Sequence, residues 1–230
     1  MATEPRQASV AQVTFAPFRY SLRLGISILL LWFVTICSQI SYAHLTNTEG
    51  AINVERQIGF YVDKADTAGV ANRMATATYA WVFEKMKLHI VLAPRAQPTD
   101  KPDTSVTPYL KRSIWAAFKP ELLTAAYATV LYAAKLGITF TALPLLLIWV
   151  FAFGADGLVQ RSIRRSCGGH ESAAVYHRAK LYGVRLLPPF AAVIFLCSPW
   201  AIPPAFVFVP AALASAVLLR LQATYYKKYL

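Results

Sequence analysis

The chain has 230 residues, of which 57% are apolar and only 15% charged, against about 45–50% and about 25% in an ordinary soluble domain. Its net charge of +12 would suggest nucleic acid in a soluble chain, but the basic residues sit mostly beside apolar runs, which is the pattern of a membrane orientation signal. The three cysteines, Cys37, Cys167 and Cys197, lie in or beside apolar segments, so a disulfide scaffold and a Cys-x-x-Cys metal site are both excluded.

In chain order, a tail of residues 1–23 precedes twenty uncharged residues from Leu24 to Ala43, enough for a helix to cross about 30 Å of hydrocarbon. This is the first span (24–43). A cleaved signal peptide is the competing reading, since Arg19 and Arg23 precede the run and Ser41-Tyr42-Ala43 has a small-x-small pattern. Residues 44–135 form an outer module and stalk. In it, Asp66 or Thr67 is positioned to cap a helix whose Val70, Met74, Ala77, Trp81 and Leu88 share a face. A Pro-rich linker, 93–108, follows, and helix restarts at Pro108 through Lys111, Ile114, Trp115 and Phe118.

The apolar run from Leu122 to Ala155 is longer than one bilayer needs. Placing the second span at 136–155 puts the Lys135 ammonium at the hydrated interface and sends the preceding turns into water, with Pro144 kinking the span. A basic loop, 156–185, carries six basic and two acidic residues. Residues 186–219 are uncharged and interrupted by Ser198-Pro199-Trp200 and Pro203-Pro204, which predicts a helical hairpin turning near 199–202, either crossing fully or re-entrant. A tail of 220–230 closes the chain, with Tyr225, Tyr226 and Tyr229 beside Lys227 and Lys228 as an interfacial belt. Arg6, Arg19 and Arg23 before the first span, the six basic residues of the loop, and Arg220, Lys227 and Lys228 at the end predict that both termini and the loop are cytoplasmic. Parity then puts the outer module outside, in the periplasm of a Gram-negative cell. The expected fold is all-α, an integral membrane protein with four transmembrane segments, the last two a Pro-rich hairpin, and a helical periplasmic insertion.

Catalytic patterns are missing. His170, Glu171 and His177 are too far apart along a helix to share a metal, and no Gly-x-Ser-x-Gly or phosphate-binding Gly-Lys-Ser/Thr occurs. With Lys135 at the interface no ionisable group is left in the four segments, which argues against a monomeric transporter; an oligomer would have Gln39, Thr139 and Thr141 to line a pore. No enzyme activity, cofactor or metal is expected.

The distinctive stretch is Asp156-Gly157-Leu158-Val159 followed by Arg161, Arg164 and Arg165, then Glu171-Ser172 and Tyr176-His177-Arg178-Ala179-Lys180. It resembles a family of membrane proteins from integrating conjugative elements that carry a conserved domain of unknown function. That family more usually has arginine where this chain has His170. The resemblance implies a part in conjugative DNA transfer through a type IV secretion apparatus, near a coupling ATPase and channel components. The candidate contact residues for a protein partner or anionic lipid head groups are Arg161, Arg164, Arg165, Glu171, Tyr176, His177, Arg178 and Lys180. Expected surroundings are the lipid bilayer of the inner membrane, other conjugation-machinery proteins or the ATPase, and a second copy of the chain; direct DNA contact is not expected. The function expected is that of a non-enzymatic scaffold or adaptor. The alternative is a self-contained membrane protein for solute passage or for exclusion of other donors at the cell surface.

Overall fold

The computed structural model describes residues 10–86, 106–167 and 173–225. Among the described residues the chain is helical throughout, without strands, as expected. The described residues form, in order, the α-helices α1 (Val10–Thr46), α2 (Gly50–Gly59), α3 (Val70–Tyr79), α4 (Val106–Ser166), α5 (Ala173–Lys180), α6 (Leu187–Cys197) and α7 (Pro204–Thr224). Single π-helical turns extend α2 (Phe60–Ala65) and α3 (Ala80–Lys85) and join α5 to α6 (Leu181–Leu186). Four stretches are long and apolar enough to cross a bilayer: Ser21–Thr46, Phe118–Ser166, Val175–Cys197 and Pro204–Thr224.

Local chemistry sets the ends of the short helices. α1 stops at Asn47, whose φ of 48° is left-handed, while Thr48 N–H reaches the Ala43 carbonyl at 3.1 Å and Asn47 N–H that of His44 at 3.4 Å. This double closure satisfies two carbonyls of the last turn. The expected cap at Asp66 is present: its carboxylate accepts from Val70 N–H at 3.1 Å and Asn72 N–H at 2.8 Å, across Gly69 at φ 68°. The face of α3 that packs is not the expected one. Ala71, Ala75, Val82 and Phe83 are buried and Trp81 is exposed, because small alanines allow the backbones to meet: a β-carbon on Gly137 would lie 2.7 Å from Ala71 Cα. Leu88 and most of the Pro-rich linker lie outside the described residues. α2, which turn chemistry did not announce, buries Val54 and Gln57, and its π turn buries Tyr61.

α4 is the axis of the molecule. It runs 61 residues through Pro120 and Pro144 without ending, and its segment from Val130 to Lys135 is buried on every side. The turns before Lys135 therefore do not project into water as expected; α1, α2 and α3 enclose them. Tyr132 Oη donates to the Ile28 carbonyl at 2.9 Å and Trp32 Nε1 to Thr129 Oγ1 at 3.2 Å, a pairing in which α1 and α4 run antiparallel. α6 and α7 form the expected hairpin, turning between Cys197 and Pro204. α7 runs parallel to α4, with Gly154 against Leu219 and Gly157 against Arg220.

Candidate functional site

Two regions carry the polar chemistry: a buried cluster under the α6–α7 turn, and the basic end where α4, α5 and α7 meet.

The cluster arises from a shortage of backbone donors. Pro199, Pro203 and Pro204 have no N–H, so the last turn of α6 and the residues after it present carbonyls that no helix can satisfy. Side chains from four elements supply the donors. From α1, Thr35 Oγ1 donates to the Leu196 carbonyl (3.2 Å), Ser38 Oγ to that of Cys197 (2.8 Å) and Gln39 Nε2 to that of Ser198 (3.4 Å). From α2, Gln57 Nε2 donates to the Pro199 carbonyl at 2.8 Å. In the following π turn, Tyr61 Oη lies 3.4 Å from the Trp200 carbonyl and 3.2 Å from that of Ile202, and accepts from Ile202 N–H at 3.0 Å. From α4, Lys135 Nζ donates to the Ser198 carbonyl at 2.7 Å. The side-chain amides of Gln39 and Gln57 also pair with each other, at 3.3 Å in both directions.

Lys135 is the main departure from the sequence expectation. Its relative exposure is 0%, so the ammonium is not hydrated at an interface. It sits against the Ser198 carbonyl with the rings of Tyr61 and Phe195 at 5.4 and 5.8 Å. Carbonyl dipoles at a helix C-terminus and aromatic faces both favour a cation, and they offset part of the water it gives up. An ionisable group therefore does lie within the Phe118–Ser166 stretch, and the argument against a transporter from its absence no longer holds. Gln39, considered for a pore lining, is buried in this cluster. Thr139 and Thr141 close onto the carbonyls of Lys135 and Ile138 in their own helix. Tyr61 is on the outer module; burial pushes its phenol up to about 12, with the hydrogen bond from Ile202 acting in the opposite direction.

At the basic end, residues 156–166 do not form a loop. They continue α4, and α5 resumes helix at Ala173. Asp156 pairs with Arg220, and a β-carbon on Gly157 would meet the Arg220 carbonyl at 2.7 Å, so the Asp156-Gly157 motif packs α4 onto α7. The guanidinium of Arg164 lies 4.2 Å from the centre of the Tyr225 ring, and Arg161 is half-buried. Arg165, His177 and Arg178 are exposed. Tyr176 contacts His177 with ring centres 5.3 Å apart, and Lys180 Nζ stands 5.8 Å from the Tyr176 ring. Glu171 and His170 lie outside the described residues. Of the eight candidate contact residues, seven are described: Arg161, Arg164, Tyr176 and Lys180 are half-buried, and Arg165, His177 and Arg178 face outward. Among the described residues no group of three or more His, Cys, Asp or Glu is gathered as a metal site.

A long central helix, three further apolar spans and a buried lysine held by a helix-end carbonyl define a multi-helix membrane protein. This chain belongs to the family described as IncC plasmid conjugative DNA transfer protein DtrJ-like, which matches residues 41–227. It takes part in conjugative DNA transfer, as the resemblance implied. No curated protein and no solved structure matches it.

Proposed function

We propose that the chain is a non-enzymatic inner-membrane adaptor of a conjugative, type IV secretion-like apparatus, with both termini and the basic end in the cytoplasm and the α2–α3 module in the periplasm. The observation that carries this reading is the continuity of α4. Its 61 residues extend about 90 Å at 1.5 Å per residue, far more than a bilayer, and α3 packs on it at Gly137 while its last turns carry Arg161, Arg164 and Arg165. One continuous helix thus joins a module on one side to a basic surface on the other. The positive-inside bias supports the orientation. Lys135 offers little to the solute-passage alternative, since protein encloses it on all sides.

Arg165 and Arg178, with His177 between them on the exposed face, are the proposed contact with an acidic surface of a cytoplasmic partner such as the coupling ATPase. Replacing Arg165, His177 and Arg178 together by Gln should lower transfer frequency from a donor at least tenfold, with the protein's amount in the membrane fraction unchanged. Normal transfer by a correctly inserted triple variant would sink the proposal. A clean deletion complemented in trans sets the scale of the measurement.

A further inference from the structure

The turn between α6 and α7 is held mainly by other elements. Within it the backbone contributes the Ile202 N–H bond to the Trp200 carbonyl, and at the start of α7 that of Phe206 to Pro203. Ser198 Oγ adds a local closure, accepting from Trp200 N–H and lying 3.1 Å from the Trp200 carbonyl; the carbonyls of Leu196, Cys197, Ser198, Pro199 and Ile202 rest on Thr35, Ser38, Gln39, Gln57, Tyr61 and Lys135. Two of these donors, Gln57 and Tyr61, belong to the outer module. The far side of the turn is already open: Trp200 is 59% exposed, its ring edge-on to that of Tyr42 with centres 6.3 Å apart, and Ala201 is exposed. Carbonyls released here meet solvent, so an unlatched turn exchanges protein donors for water instead of leaving them bare. Beyond the turn, α7 follows α4 to Gly157 and places Arg220 on Asp156, beside the Arg164–Tyr225 contact. A shift of the hairpin therefore reaches the basic end.

We propose that α2 and its π turn are a latch on the α6–α7 hairpin, and that drawing Gln57 and Tyr61 off the turn frees the hairpin to move and rearranges the basic end. This goes beyond the adaptor reading, because it states how one face signals to the other. A latch needs two discrete arrangements, and the turn supplies them: carbonyls on side chains, or carbonyls on water.

Native Cys197, whose carbonyl Ser38 holds, reports the state of the turn once Cys37 and Cys167 are replaced by Ser. In full-length protein in membrane fragments open on both faces, its reaction with a water-soluble maleimide should quicken at least tenfold in Tyr61→Phe and in Gln57→Leu. A Ser215→Cys probe in a chain lacking all three native cysteines reports general loosening, since Ser215 is buried along α7, and its rate should stay the same. An unchanged Cys197 rate, or equal acceleration at residue 215, overturns the latch. The second arm tests movement in the working machine. Cysteines in place of Tyr42 and Trp200, in the chain without native cysteines, can be joined by a short bismaleimide. Bridged donors should lose transfer at least tenfold relative to donors treated with a monofunctional maleimide; equal transfer overturns the proposal. The labelling arm does not depend on transfer, so failure of the latch and failure of the adaptor reading are separable.

Discussion

Lys135 lies in a site with no exposed surface, and its neighbours explain how. Removing the side chain would leave the Ser198 carbonyl on one long bond from Gln39 and open a cavity between Tyr61 and Phe195. Lys135→Ala should therefore cost about 2–5 kcal/mol, the scale of a large buried side chain cut back to alanine in a packed core. Lys135→Met, which keeps the stem, should cost clearly less. Denaturant titration in detergent measures both, and an alanine variant as stable as the parent would contradict the role given to the ammonium. Tyr61 gives a pH test. Its phenol titrates near 12 in the folded chain and at about 10 when unfolded. The folded state thus keeps a proton that the unfolded state has released between these values, and stability should be fully present below about pH 10 and fall as pH rises towards 12. Tyr61→Phe should flatten this part of the stability curve; an identical slope in both proteins would count against the burial of the phenol.

At the scale of the element, α4 and α7 approach through glycine. A β-carbon at residue 157 would lie 2.7 Å from the Arg220 carbonyl and 2.8 Å from Ala223 Cβ, whereas one at residue 154 would meet Leu219 Cδ2 at an ordinary 3.6 Å. Gly157→Ala must push the helices apart and should cost about 1–3 kcal/mol. Gly154→Ala relieves the helix of a glycine without a clash and should be neutral or stabilising by up to about 1 kcal/mol. Thermal unfolding of the pair in one detergent decides the matter, and equal midpoints would refute the close approach. The same geometry gives Asp156-Gly157 a packing role, although the sequence stretch drew notice as a possible contact surface. In α3, hydrophobic spacing located the helix and Asp66 its cap, but the packed face was misread. Large residues such as Trp81 marked the apolar stripe, whereas backbone approach to Gly137 selected alanines.

At the scale of the whole molecule, α1, α4, α6 and α7 alternate in direction, so the two ends of the bundle collect different elements: the outer module and hairpin turn at one, the basic residues at the other. If the basic end is cytoplasmic, Cys167, exposed just past α4, should react with an impermeant maleimide in inverted membrane vesicles and not in intact spheroplasts. Reaction in spheroplasts would reverse the proposed orientation. Helical class, four apolar spans and the hairpin with its turn were legible in the residues, because twenty-residue apolar runs and paired prolines act locally along the chain; the conjugative-transfer family was legible through the resemblance of the stretch from Asp156 to Lys180. Tertiary structure alone decided where the polar residues inside those runs go. Thr35, Ser38 and Gln39 stand three and four residues apart on an apolar helix, a trace of one polar face, but their partners are carbonyls some 160 positions away. Lys135 looked like a boundary because a lone charge normally seeks water. It proved to be an interior residue, since the fold brings a helix-end carbonyl and two rings against its amine.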